Sequence, residues 1–182
     1  MEVTFRRTAE RRYAVVVSRT AAPALHMHPA PGYDPLVPHD LAHFIVEREC
    51  GIALGVFGQL AAGGDAATFH RVDGAVDRKL RRRGERLVRE NRVDLAHSEQ
   101  LVYRCMRTWR GGDRLAADGK IEQVCTSFDA VSERWQKLAV GESITLAWPR
   151  TSNPRRTSGQ QARGRGRGSR DHASRRSRSI RR

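Results

Sequence analysis

The chain has few cysteines, almost no lysine and no long apolar run, and each shortage excludes a class of protein. Its three cysteines, Cys50, Cys105 and Cys125, are odd in number, widely spaced and set in apolar helical patterns. That spacing matches neither a zinc finger nor a disulfide framework, and points to buried free thiols in a reducing cytosol. The longest apolar stretch, roughly residues 50–64, is interrupted by glycines and Gln59. It falls short of the ~20 residues needed to span a bilayer. The segment Met1–Arg7 lacks the apolar centre of a signal peptide. A cytoplasmic protein with no membrane partner is therefore expected, and no internal repeat is visible.

Lysine is nearly missing from a strongly basic chain: only Lys79, Lys120 and Lys137 stand among 34 basic residues. Heavy use of Arg, Ala and Gly is what a GC-rich bacterial genome produces, so the arginine bias alone carries little chemistry. Its distribution carries more. Residues 150–182 hold 12 arginines and one acid, Asp171, out of a whole-chain net charge of +14. Residues 1–149 are close to balanced. The tail, with Arg163, Arg165, Arg167, Arg175, Arg176, Arg178, Arg181 and Arg182, has almost nothing apolar to bury, so disorder is expected there. It resembles the RGG and Arg/Ser segments of RNA-binding proteins, without their aromatics. That resemblance implies electrostatic contact with nucleic acid and no sequence readout.

Residues 1–149 read as a single α+β domain. Residues 2–7 and 12–18 alternate as a hairpin, and Ile144, Leu146 and Trp148 alternate as one more strand. An isolated hairpin is marginal in water, so the three strands are expected in one antiparallel sheet. Pro23, Pro29, Pro31 and Pro35 hold residues 20–37 extended and non-helical. Between the strands, four to five helices are expected to cover one face of the sheet. These are a helix stopped by Gly51, a short one near 53–62, a basic one near 74–92, one capped by Asp94, and one over 119–139.

The densest chemistry lies in Pro38-His39-Asp40-Leu41-Ala42-His43-Phe44-Ile45-Val46-Glu47. On a helix, His39, His43 and Glu47 fall within about 80° of one another. His39-Asp40-Leu41-Ala42-His43 resembles the His-Glu-x-x-His helix of zinc metallopeptidases. The resemblance implies that His39 and His43 bind zinc and that the acid after the first histidine is the general base. Aspartate stands where that family has glutamate, one methylene shorter, so Glu47 is the other candidate for base and a candidate third ligand. His26, His28, His70 and His97 are further third-ligand candidates that no spacing selects. The alternative is a polar helix face carrying a His43–Glu47 pair. The Pro-His-Asp-Leu-x-His-Phe helix and the Leu-x-Trp-Pro-like strand also resemble a group of small uncharacterised bacterial proteins, which implies no activity.

Gly51, Gly55 and Gly58 match no phosphate-loop pattern and are read as close helix packing. The basic helix from Arg78 to Arg92 is either an anion-binding face or a solvated one, because Asp77, Glu85 and Glu90 are interleaved. Two functions follow: a small binding protein whose tail contacts nucleic acid, or a metal-dependent hydrolase built on His39 and His43.

Overall fold

The computed structural model describes residues 1–20, 22–111 and 118–149. The tail and its eight nucleic-acid candidates lie outside the described residues. Among the described residues the fold is α+β, with an antiparallel sheet and five helices. In chain order these are β1 (Glu2–Ala9), β2 (Arg12–Arg19), β3 (Ala22–Ala30), α1 (His39–Cys50), α2 (Val56–Ala61), β4 (His70–Arg71), α3 (Arg78–Glu90), α4 (Arg92–Gly111), α5 (Gly119–Gln136) and β5 (Ser143–Ala147).

The N-terminal hairpin and the last strand pair as expected, with Phe5 opposite both Val15 and Ile144. The sheet nevertheless has five strands, in the order β4-β3-β2-β1-β5, and not three. Residues 22–30, expected only to be extended, form β3. Leu25 and Met27 are buried there and pair with Val17 and Val15. Pro23 and Pro29 hid this strand, since proline cannot donate to a ladder. The structure places them where the β2–β3 register shifts, at the irregularities between Val17 and Arg19 and between Tyr13 and Val15. His26 and His28 are consequently strand residues, and His26 sits opposite His70 of β4.

Alternate strand residues (Val3, Phe5, Tyr13, Val15, Val17, Leu25, Ile144) point to the helices and are buried. Phe44 of α1 is the hub of the aromatic cluster, with ring centroids 5.8 Å from Phe5, 5.1 Å from Phe57 and 5.5 Å from Trp148. Every residue from Asp40 to Glu47 is buried, so α1 is central and not half-solvated. It packs against the helices α2, α4 and α5. Gly51 ends it in the left-handed conformation, at φ 69°. Asp77 and Asp118 cap α3 and α5. Asp94 does not cap α4; its carboxylate accepts from the backbone N–H of Leu54.

Glycine in mid-helix ordinarily costs about 1 kcal/mol against alanine. At Gly84 of α3 the sign should invert. An added Cβ would lie 1.7 Å from Oδ1 of Asp65, a buried carboxylate that holds the turn before β4. Gly84→Ala is expected to lose about 1–3 kcal/mol by overpacking, read as a fall in the urea midpoint. A gain in stability would mean that α3 is free to shift away from Asp65.

Candidate metal centre

Helix α1 delivers four polar groups, and the structure sends them to three different places. His39 opens the helix and is exposed, its backbone N–H donating to Gly32 O at 3.0 Å. Gly32 is required here, because it has a φ of 68° and a Cβ would stand 2.6 Å from that of His39. His43, one turn on, is 2 % exposed. The two rings are neighbours, with centroids 4.6 Å apart.

Asp40 faces the sheet. Tyr13 Oη lies 2.5 Å from Asp40 Oδ2 and 2.5 Å from Pro31 O. One phenolic proton serves one of these acceptors, and the second bond closes when Asp40 carries its own proton. Burial, the largest influence, raises the Asp40 pKa, and the opposing pull of Tyr13, His39 and His43 does not cancel it. Burial also raises the Tyr13 phenol, with help from the Asp40 charge. The residue nominated as a general base is thus held in a buried bond to Tyr13.

Glu47 is fully buried and spent on the backbone. Its Oε1 accepts from Val56 N at 2.8 Å and its Oε2 from Phe57 N at 2.9 Å, at the start of α2. Gly55 makes room for this, since a Cβ there would come within 2.3 Å of the carboxylate. Gly58 likewise lets α2 pack close, its own Cβ position being 2.0 Å from Ala53 O. The glycine spacing is therefore a packing device.

Ser98 of α4 links these groups. Its Oγ lies 2.8 Å from Glu47 Oε1 and 3.0 Å from His43 Nδ1, whereas His43 and Glu47 are themselves 3.8 Å apart. A serine hydroxyl has one proton, and both carboxylate oxygens of Glu47 already act as acceptors of backbone N–H groups. Ser98 therefore donates to Glu47 and accepts from an Nδ1–H of His43. That assignment leaves the lone pair of the neutral imidazole on Nε2. Nε2 is buried, has no hydrogen-bond partner, and lies 3.4 Å from Oε2 of Glu99, the residue after Ser98.

His39, His43 and Glu99 offer ligand atoms that all lie within 4.8 Å of one another. Among the described residues this is the one such group of three or more. Donors around a tetrahedral zinc with bonds of ~2.0–2.1 Å stand about 3.4 Å apart. His43 and Glu99 already have that separation, and the exposed His39 closes the rest by side-chain rotation. Burial opposes a charged His43, but Glu47, Glu99 and Asp40 outweigh it and raise its pKa. Such a pocket of negative potential attracts a proton or a metal cation.

The two histidines are therefore brought together as their spacing predicted, while Glu47 lies behind His43 as a support. The third donor is Glu99, and none of His26, His28, His70 or His97 joins the group. Glu99 and Ser98 carried no signal in sequence, because they are 51 or more residues beyond the α1 side chains they meet and no motif spacing reaches that far. A cavity of about 480 Å³ lies elsewhere, lined by residues including Phe69, Asp77, Leu80 and Arg81, and shares no residue with the cluster. No helix among the described residues is long and apolar enough to cross a membrane. Comparison of the chain with family models, curated proteins and solved structures returns no match.

Proposed function

We propose that this protein binds a divalent transition-metal ion of the zinc class through His39, His43 and Glu99. The observation that carries the reading is the buried, unpartnered Nε2 of His43 facing the Glu99 carboxylate 3.4 Å away. Two acceptors so placed repel unless a proton or a metal cation stands between them. Two imidazoles and one carboxylate are borderline donors suited to zinc, and hard oxygen-seeking ions prefer other sets. The chain Nδ1–H···Ser98···Glu47 is the kind of outer support that orients a metal-binding histidine.

Three protein donors leave a fourth position for water or an anionic ligand, the composition of hydrolytic zinc sites. Asp40 and Glu47, the candidate bases, are both bonded elsewhere, which favours metal binding over peptidase-type hydrolysis. The test is zinc uptake by the full chain in equilibrium dialysis. One ion per chain is expected, lost in His39→Ala and in Glu99→Ala; sub-stoichiometric uptake by the wild type ends the reading.

A second reading, adhesion of the tail to nucleic acid, is supported by its 12 arginines against one acid. Eight phosphate contacts on a single strand correspond to a slope of log K on log[salt] of about −6. Replacing Arg163, Arg165, Arg167, Arg175, Arg176, Arg178, Arg181 and Arg182 with Gln should remove that share of the slope. An unchanged slope would place the binding elsewhere.

A further inference from the structure

Helix α3 carries seven basic residues and two acids in thirteen positions. Interleaved acids in sequence suggest mutual neutralisation along a solvated helix. In three dimensions four of the arginines line up. At 100° per residue, Arg78, Arg82, Arg86 and Arg89 fall within about 80° of one another. All four are exposed. Leu80, Gly84 and Leu87 lie on the opposite side, where Gly84 is buried against Asp65.

Asp77 and Glu85 are engaged by partners outside this row, and Glu90, one turn beyond Arg86, forms no ion pair with it among the described residues. Asp77 accepts from Leu80 N and lies 3.7 Å from Arg71. Glu85 pairs with Arg81 at 3.2 Å. Arg83 is taken as well, donating to Ala62 O at 2.6 Å. None of Arg78, Arg82, Arg86 and Arg89 forms an ion pair among the described residues. Like charges one turn apart destabilise a helix by a few tenths of a kcal/mol each, a repulsion that an anionic partner along the row relieves.

We infer that the arginine row of α3 is a second binding site, whose ligand is the phosphate backbone of a nucleic acid. The row extends about 16 Å along the helix at 1.5 Å per residue, with roughly one guanidinium per turn. That is a linear array of forks, and its complement is a linear array of phosphates. A lipid surface fits less well. The apolar residues of α3, Leu80, Leu87 and Val88, are half-buried on the body side and leave no apolar stripe beside the arginines to enter a bilayer. The site uses no residue of the tail, so it stands whether or not the tail binds.

The experiment uses the full chain and a fluorescent oligothymidylate of about 20 nucleotides, with affinity followed by anisotropy across a salt series. Loss of four phosphate contacts on a single strand makes the slope shallower by about 3 and weakens binding about a hundredfold at ~0.15 M salt. That is the result expected for the variant R78Q/R82Q/R86Q/R89Q. A charge-matched control, R11Q/R12Q/R107Q/R134Q, removes four exposed arginines elsewhere and should cost less than about fivefold. The pairs R78Q/R82Q and R86Q/R89Q, each removing about half the slope change, keep the test decisive if the fourfold variant misfolds. Unchanged binding in the α3 variants overturns the inference, as does equal weakening in the control. Polyglutamate of matched charge that displaces the oligonucleotide equally well also overturns it, by making the partner an acidic protein.

Discussion

Zinc at about a thousand times its dissociation constant should raise the stability of the native chain by about 4 kcal/mol, through mass action on the folded state alone. For a domain of this size that is a rise in Tm on the order of 8–16 °C, reversed by a chelator. The effect is large because the ion would tie α1 to α4 at their crossing, using His39 and His43 from one helix and Glu99 from the other. Two variants make the result interpretable. His39 and Glu99 are exposed, so His39→Ala and Glu99→Ala should stay within about 0.5 kcal/mol of wild type without metal. Both should then show no zinc-dependent shift. A thermal shift that survives in both variants would move the ion elsewhere, and no shift in the wild type would end the metal reading.

Glu47→Ala is expected to be among the most damaging single substitutions in the chain, at about 3–5 kcal/mol in urea unfolding. Its carboxylate is fully buried and accepts three hydrogen bonds, from Val56 N, Phe57 N and Ser98 Oγ. Removing it strands all three donors in a water-free site, and a stranded buried donor costs about 1–3 kcal/mol. A loss of that size is a large fraction of the 5–15 kcal/mol that holds an ordinary domain folded. Glu47→Gln keeps the volume and one accepting oxygen but turns an NH₂ toward a donor, so it should fall between wild type and alanine. It should also weaken zinc by about 10- to 100-fold, because the Ser98 link no longer holds His43 in its metal-binding tautomer. An alanine variant that loses less than 1 kcal/mol would show that the Glu47 bonds are readily replaced by water.

The hairpin, the last strand and the long helices were legible because each depends on local periodicity. Val3 and Phe5 alternate, as do Ile144 and Leu146. The apolar row Ile121, Val124, Phe128, Val131 and Trp135 keeps the helical period and is buried as a row. β3 was not legible as a strand. Its two prolines are breakers in any local reading, and only the bulged pairing with β2 shows where they fit. On α1, the placement of His39 beside His43 follows from a spacing of four.

Local spacing says nothing, however, about what stands opposite a helix face. Asp40 and Glu47 looked like a base and a ligand beside two histidines. Tyr13, 27 residues upstream, claims the first, and Val56, Phe57 and Ser98 claim the second. The sequence by itself determined the helices, the strands β1, β2 and β5, and which side chains share a face, because backbone geometry repeats every 3.6 or 2 residues. Tertiary structure alone decided that Glu99 stands beside the two histidines and that Arg78, Arg82, Arg86 and Arg89 form no ion pair among the described residues. Those relations depend on how α1 meets α4 and how α3 lies against Asp65 and Ala62, and packing sets such contacts between residues tens of positions apart.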